Sequence, residues 1–158
     1  MLFLLATPEY NNVQSNTTKV RVHLRTGIAE ILDNHQDLMG KVENNIVEIE
    51  TNFENKSEKF LFVLQDAVFI VSNKGLDKNA EEKDTSIYIY AKKAREITST
   101  TSIDEISKQY DEKKLELETE LAKITEKADK AINSKILLLQ EDTEFLQKSL
   151  SIIKELKS

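Results

Sequence analysis

The sequence predicts a β-plus-α protein: an N-terminal antiparallel β-sandwich over residues 1–97, then a C-terminal two-helix hairpin over residues 98–158. Three observations carry this. In the first half, apolar residues recur at every second position, the period of a half-buried strand. From about Ser102 they recur three, four or seven apart, the period of one helical face. Between the two regimes, Thr98 to Ser102 reads TSTTS, polar and without an apolar anchor.

The strands come first. Leu2–Thr7 is an apolar run closed by Pro8. In KVRVHLR, residues 19 to 25, Val20, Val22 and Leu24 alternate with Lys19, Arg21, His23 and Arg25, which assigns the valine–leucine face to a core. Val47, Ile49, Thr51 and Phe53 repeat the pattern against Glu48, Glu50 and Asn52. KFLFVLQ and AVFIVSN are apolar runs of strand length, rich in Phe and Val. SIYIYA adds a strand with Ile87 and Ile89 on one face and Tyr88 and Tyr90 on the other. Short strands with short connections suit a sandwich or barrel. Lys74 to Asp84, KGLDKNAEEKD, is polar and charged and reads as an exposed, mobile loop.

The helices start at a capping box, SIDE, in which Ser102 caps and Glu105 reaches back. Ile103, Ile106, Tyr110, Leu117, Leu121, Ile124 and Ala128 form one stripe; Leu138, Leu139, Phe145, Leu146, Leu150, Ile153 and Leu156 form a second. Asn133-Ser134 is the best local break between them. A hairpin is favoured over one long helix because folding back covers both stripes.

Composition narrows the function classes. Charged residues are 32% of the 158-residue chain and the net charge is −6, which argues against a nucleic-acid partner, since that needs a concentrated basic face. Without cysteine, disulfides, thiolate catalysis and Cys-ligated zinc are excluded. With 3 Gly and 1 Pro, the turns fall to Asn and Asp. The opening MLFLLATPEY lacks a basic n-region, so a signal peptide is not expected, and no segment approaches bilayer length.

Few residues offer chemistry. Asp33, His35 and Asp37 alternate and could each supply a metal ligand, but no apolar face accompanies them, and Asp and Asn favour turns that bond their own backbone. We read a turn there. The row Lys19, Arg21, His23 and Arg25 reads as a solvated face or a contact to an acidic partner. No Gly-rich phosphate loop and no Ser–His–Asp signature occurs, so neither catalytic residues nor a metal or cofactor site is expected.

Taken in order, the segments LLATPE, KVRVHLRTG, GIAEILDNHQDLMGKV, NIVEIE, FLFVLQDAVFIVSN and SIYIYAKKAREI resemble the epsilon subunit of F-type ATP synthases over nearly the whole chain. The family architecture is a ten-stranded β-sandwich followed by two antiparallel helices. The resemblance implies a non-catalytic central-stalk subunit, peripheral on the cytoplasmic face of a membrane within a complex. Its partners would be a gamma-like shaft, the alpha/beta-type catalytic head and a membrane rotor ring. Asn34 and His35 match the family's turn at the ring-facing end, leading to Leu38; with Arg21 and Arg25 they are the candidate partner interface. This chain departs from the pattern: Asp33 and Asp37 replace flanking prolines, Glu30 a glycine, Ile28 an acidic residue, and Asp66-Ala67 a glycine pair. Of the family's ATP motif only Ile103-Asp104 remains; Ser107 and Lys108 stand where Arg and Ala would be, so nucleotide binding is not implied. Two other readings stay open: a β-domain/coiled-coil scaffold that homodimerises through its helices, and a metal-dependent enzyme using Asp33, His35 and Asp37.

Overall fold

A computed structural model describes residues 1–73, 85–125 and 130–158, so the loop read at Lys74–Asp84 lies outside the described residues. The chain forms two compact units, Met1–Thr98 and Ser99–Ser158. The first is a β-sandwich and the second a two-helix hairpin.

The sandwich has eight strands among the described residues: β1 Leu2–Ala6, β2 Asn11–Gln14, β3 Thr17–Leu24, β4 Gly27–Ile31, β5 Leu38–Val42, β6 Asn45–Phe53, β7 Lys56–Ser72 and β8 Ser86–Glu96. Neighbours run β2-β1-β8-β7-β6-β3-β4, with β5 also on β7. All pairs are antiparallel except β1 with β8, which is parallel. Three strands, β2, β4 and β5, are absent from the sequence reading. Each is four or five residues long, too short for alternation to declare itself, and β5 carries Gly40.

The two layers share one bent ribbon. KFLFVLQ and AVFIVSN are not two strands around a turn but the single strand β7. Val42 pairs with Ala67 and Asn45 with Leu64, so β5 and β6 keep one register along β7 on both sides of a bend. Asn44 and Asp66 make that bend, with left-handed φ values of 41° and 46°. Asp66 thus takes the conformation for which the resembling family uses glycine; Asn and Asp tolerate it because a short polar side chain bonds locally. One layer is β2-β1-β8-β7-β5, the other β4-β3-β6-β7. Glu54 and Asn55, both at positive φ, close the β6–β7 turn, as two-residue hairpin loops require.

Between the layers lie Phe3, Leu5, Val20, Val22, Ile31, Val47, Ile49, Phe62, Leu64, Phe69, Val71, Ile87 and Ile89, with Leu24 half-buried at the margin. The alternation read in β3 and β8 therefore points to the observed core. Phe53 is the exception, being exposed, because β6 has by then run past the layer into its turn. Gly40 is required where it stands: an added Cβ would meet the Phe69 ring at 2.6 Å, and Phe69 is itself buried and cannot give way.

The hairpin comprises α1, Ile103–Ala122, a turn of 3-10 helix at Lys123–Thr125, and α2, Lys130–Lys157. Ser102 caps α1, its hydroxyl accepting from the Glu105 N–H at 3.2 Å. The chain reverses earlier than Asn133-Ser134, which sit exposed in the first turns of α2; at a solvated helix start neither residue has cause to break the helix. Ile124 consequently falls in the 3-10 turn, and Ala128 lies outside the described residues. Of the two stripes, Ile106, Leu139, Phe145, Leu146, Leu150 and Ile153 are buried, whereas Leu121, Leu138 and Leu156 are exposed. Among the described residues, no helix is long and apolar enough to cross a membrane.

Candidate functional site: a braced turn and two outer faces

The sequence-predicted interface residues do not converge. Asn34 and His35 lie in the connection between β4 and β5, and Leu38 opens β5. Val20 pairs with Ile31 and Leu24 with Gly27, so Arg25 sits at the opposite end of β4 from that connection. Ile28 is likewise at the Gly27 end, away from Asp33 and Asp37. Gly27 itself opens β4 at φ 145°, a conformation that glycine supplies to this hairpin without strain.

The His35 turn is built from its own backbone and braced to the ends of β7 and β8. The His35 N–H donates to the Leu32 carbonyl at 3.1 Å, and Asn34 takes a left-handed φ of 61°. The Asn34 N–H donates to the Thr85 hydroxyl at 2.7 Å, which in turn donates to Asn73 Oδ1 at 2.8 Å. The Asn73 side-chain amide donates to the His35 carbonyl, while the Asn73 N–H donates to Asp37 Oδ1 at 3.0 Å. His35 Nδ1 bonds the Gln36 carbonyl at 2.7 Å. Of the alternating Asp-His-Asp pattern, His35 and Asp37 are thus both engaged in holding the turn. Among the described residues, no group of three or more His, Asp or Glu side chains is placed to hold a metal ion.

The brace makes a contrasted prediction. Thr85 is fully buried, so Thr85→Val leaves the Asn34 N–H and Asn73 Oδ1 without this partner and should cost about 1–3 kcal/mol. The His35 imidazole bonds only locally in this turn, so His35→Ala should stay within about 0.5 kcal/mol. Urea unfolding of the two variants measures both; a larger loss from His35→Ala would overturn the structural account of the turn.

The outer face of the β4-β3-β6 layer is charged but internally neutralised. Arg21 Nε bonds Glu30 at 2.7 Å, Lys19 pairs with Glu50 at 3.5 Å, and His23 Nε2 lies 2.5 Å from Glu48. The hydrogen bond that Arg21 donates to Glu30 raises the Arg21 pKa and lowers that of Glu30. The basic row is therefore a set of cross-strand pairs, with Arg25 exposed beyond them.

The other layer turns an apolar face outward. Cross-strand partners share a face, so Met39, Ile70, Tyr88, Leu4 and Val13 form one row across β5, β7, β8, β1 and β2. Val68, Tyr90 and Ala6 form the next, ended by Lys41 and Asn11. Met39 is 70% exposed, Val13 55% and Tyr90 47%. Between them Tyr88 is buried, at 8%, and Leu4, Ala6, Val68 and Ile70 are half-buried, so the apolar side chains that meet water on this face are Met39, Val13 and Tyr90. The sequence carried a trace of it: Tyr90 and Val68 alternate out of phase with the core positions, a pattern that reads as sheet packing until the partner strands are known.

No protein-family model and no curated protein matches the sequence. The fold, by contrast, matches solved structures. A chain in the cryo-EM structure of the Euglena gracilis mitochondrial ATP synthase (OSCP/F1/c-ring, rotational state 1) aligns at TM-score 0.60 and 12% identity, over 96% of this chain and 79% of that one. A chain in the Tetrahymena thermophila mitochondrial ATP synthase central stalk/c-ring structure aligns at TM-score 0.45 and 13% identity, over 90% of this chain and 96% of that one. The class is a β-sandwich followed by a helical hairpin. At 12% identity the Euglena likeness speaks for that fold, one that an ATP synthase contains.

Proposed function

We propose that this chain is a non-catalytic, epsilon-type central-stalk subunit of a rotary F-type or F-type-like ATPase. The observation that carries the reading is the apolar outer face around Tyr90 and Met39, a docking surface on a sandwich whose fold an ATP synthase also contains. A shaft of coiled helices presents ridges of apolar side chains, and an outward sheet face with a central tyrosine suits them. The sandwich would then clamp a gamma-like subunit and carry torque through its closed core. Asn34 and His35 on the braced turn, with Leu38 at the start of β5, are assigned to the contact with a membrane rotor ring, and Arg21 and Arg25, on the charged layer, to separate polar contacts. The hairpin would lie along the stalk or reach toward the alpha/beta-type head and restrain ATP hydrolysis. The chain itself would be peripheral, on the cytoplasmic face of the membrane through its partners, with no nucleic-acid partner and no cofactor.

The rival scaffold reading draws on the exposed Leu115, Leu137 and Leu138 of the hairpin, which a second copy could cover. Light scattering of the purified chain separates the two. A stalk subunit awaiting its shaft has the mass of one 18.1 kDa chain at micromolar concentration. A stable dimer that dissociates when Leu137 and Leu138 become polar would favour the scaffold.

A further inference from the structure

Three apolar side chains meet water on the outer face of the β2-β1-β8-β7-β5 layer, and one of them, Met39, carries a thioether open to oxidation. Met39 is 70% exposed, more than any other large apolar side chain among the described residues. Its outward position is fixed by its neighbour. Gly40 pairs with Phe69, and an added Cβ there would meet the Phe69 ring, so the inward side of β5 is already filled. A slip of one residue would drive Met39 or Lys41 onto that ring, so the thioether cannot withdraw from solvent. The chain's other methionine, Met1, is half-buried against the core, and no cysteine competes for an oxidant.

We propose that Met39 is a modification site: a hydroperoxide oxidises its thioether selectively, and the sulfoxide keeps this face from the gamma-like shaft. The step balances. A sulfur lone pair attacks the terminal peroxide oxygen, the O–O bond breaks as the S–O bond forms, and the proton of the attacked hydroxyl passes to the leaving oxygen. Sulfur gives up two electrons, and the peroxide leaves as water or, if organic, as an alcohol. Docking separates the two states. A thioether packs against apolar side chains and asks for no hydrogen bond. A sulfoxide oxygen is a polar acceptor, and covering it with an apolar ridge strips off the water it bonds. The partner's identity rests on the stalk reading; the selectivity of the oxidation does not.

Treating the purified full chain with hydrogen peroxide, then removing the peroxide, tests both halves. Peptide masses should show one added oxygen on Met39 at close to the rate of a free methionine amide, and on Met1 several-fold more slowly, with the circular dichroism unchanged. Treated and untreated tagged chains are then returned to a mild-detergent extract of the cells that make the protein, and the gamma-like and alpha/beta-type subunits they recover are measured. Oxidised wild type should recover roughly tenfold less than untreated, the scale of one unpartnered acceptor in an interface. Reduction by the two methionine sulfoxide reductases, one for each epimer, should restore recovery. Peroxide should leave the recovery by Met39→Leu at that variant's own untreated level. Equal oxidation of Met1 and Met39, or undiminished recovery by oxidised wild type, would overturn the proposal. Recovery of no ATPase subunit by the untreated chain would count against the stalk reading, with the ratio of the two oxidation rates still deciding whether Met39 is the site.

Discussion

Val22→Asp is expected to unfold the β-sandwich. Val22 is fully buried on β3, with Ala29 of β4 opposite on one side and Val47 of β6 on the other. No cation in that core could pair with a carboxylate at this position, for the cluster around it is aliphatic and aromatic. An uncompensated buried charge costs about 3–5 kcal/mol or more, against about 5–15 kcal/mol for a whole domain. Leu24→Asp, at the half-buried margin of the same face, should cost less, since the carboxylate can turn to water. Arg25→Asp, exposed at the hairpin, should fall within about 0.5 kcal/mol. Urea denaturation followed by circular dichroism ranks the three. If Arg25→Asp proved the most damaging, β3 would be paired one residue out of register, because a slip of one exchanges every inward for every outward side chain.

The second large effect is on association. Tyr90→Asp, in the middle of the apolar outer face, should leave the isolated fold within about 0.5 kcal/mol of wild type, because the side chain is already half exposed. It should nonetheless weaken capture of a gamma-like partner by about 2 kcal/mol, roughly a thirtyfold rise in Kd, the scale of a buried aromatic anchor. Lys59→Ala on the opposite, charged layer should do almost nothing, since its pairing with Glu50 at 3.6 Å is solvent-exposed. Titrating wild type and the two variants against the partner measures this. Equal losses from Tyr90→Asp and Lys59→Ala would move the docking surface off the apolar face.

How far the sequence reached depended on the range of the forces involved. The core of β3 and β8 was legible because alternation is local: Val20, Val22, Ile87 and Ile89 declare a face without reference to any other strand. The Ser102 cap was legible for the same reason. The bent ribbon was not, because Asn44 and Asp66 act together only once β5 and β6 have lined up along β7, and an Asp-Ala dipeptide looks like an ordinary turn. The apolar outer face was hidden likewise: Met39, Ile70, Tyr88, Leu4 and Val13 come from five strands, and only the register makes them a row. Arg21 looked like a basic contact residue until Glu30, supplied by the next strand, was seen beside it. Glu120 gave no signal at all, since nothing in a helix rich in Glu and Lys marks a carboxylate that Lys135 of the second helix meets.

The central proposal is that this chain is a stalk subunit of a rotary ATPase, and affinity isolation of a tagged copy from the cells that make it tests this most directly. Under mild detergent, the account predicts that a gamma-like subunit and alpha/beta-type catalytic subunits are recovered with it in fixed proportion, that the isolate hydrolyses ATP, and that Tyr90→Asp removes both. Recovery of the chain as a homodimer, or with partners that include no ATPase subunit, would contradict it.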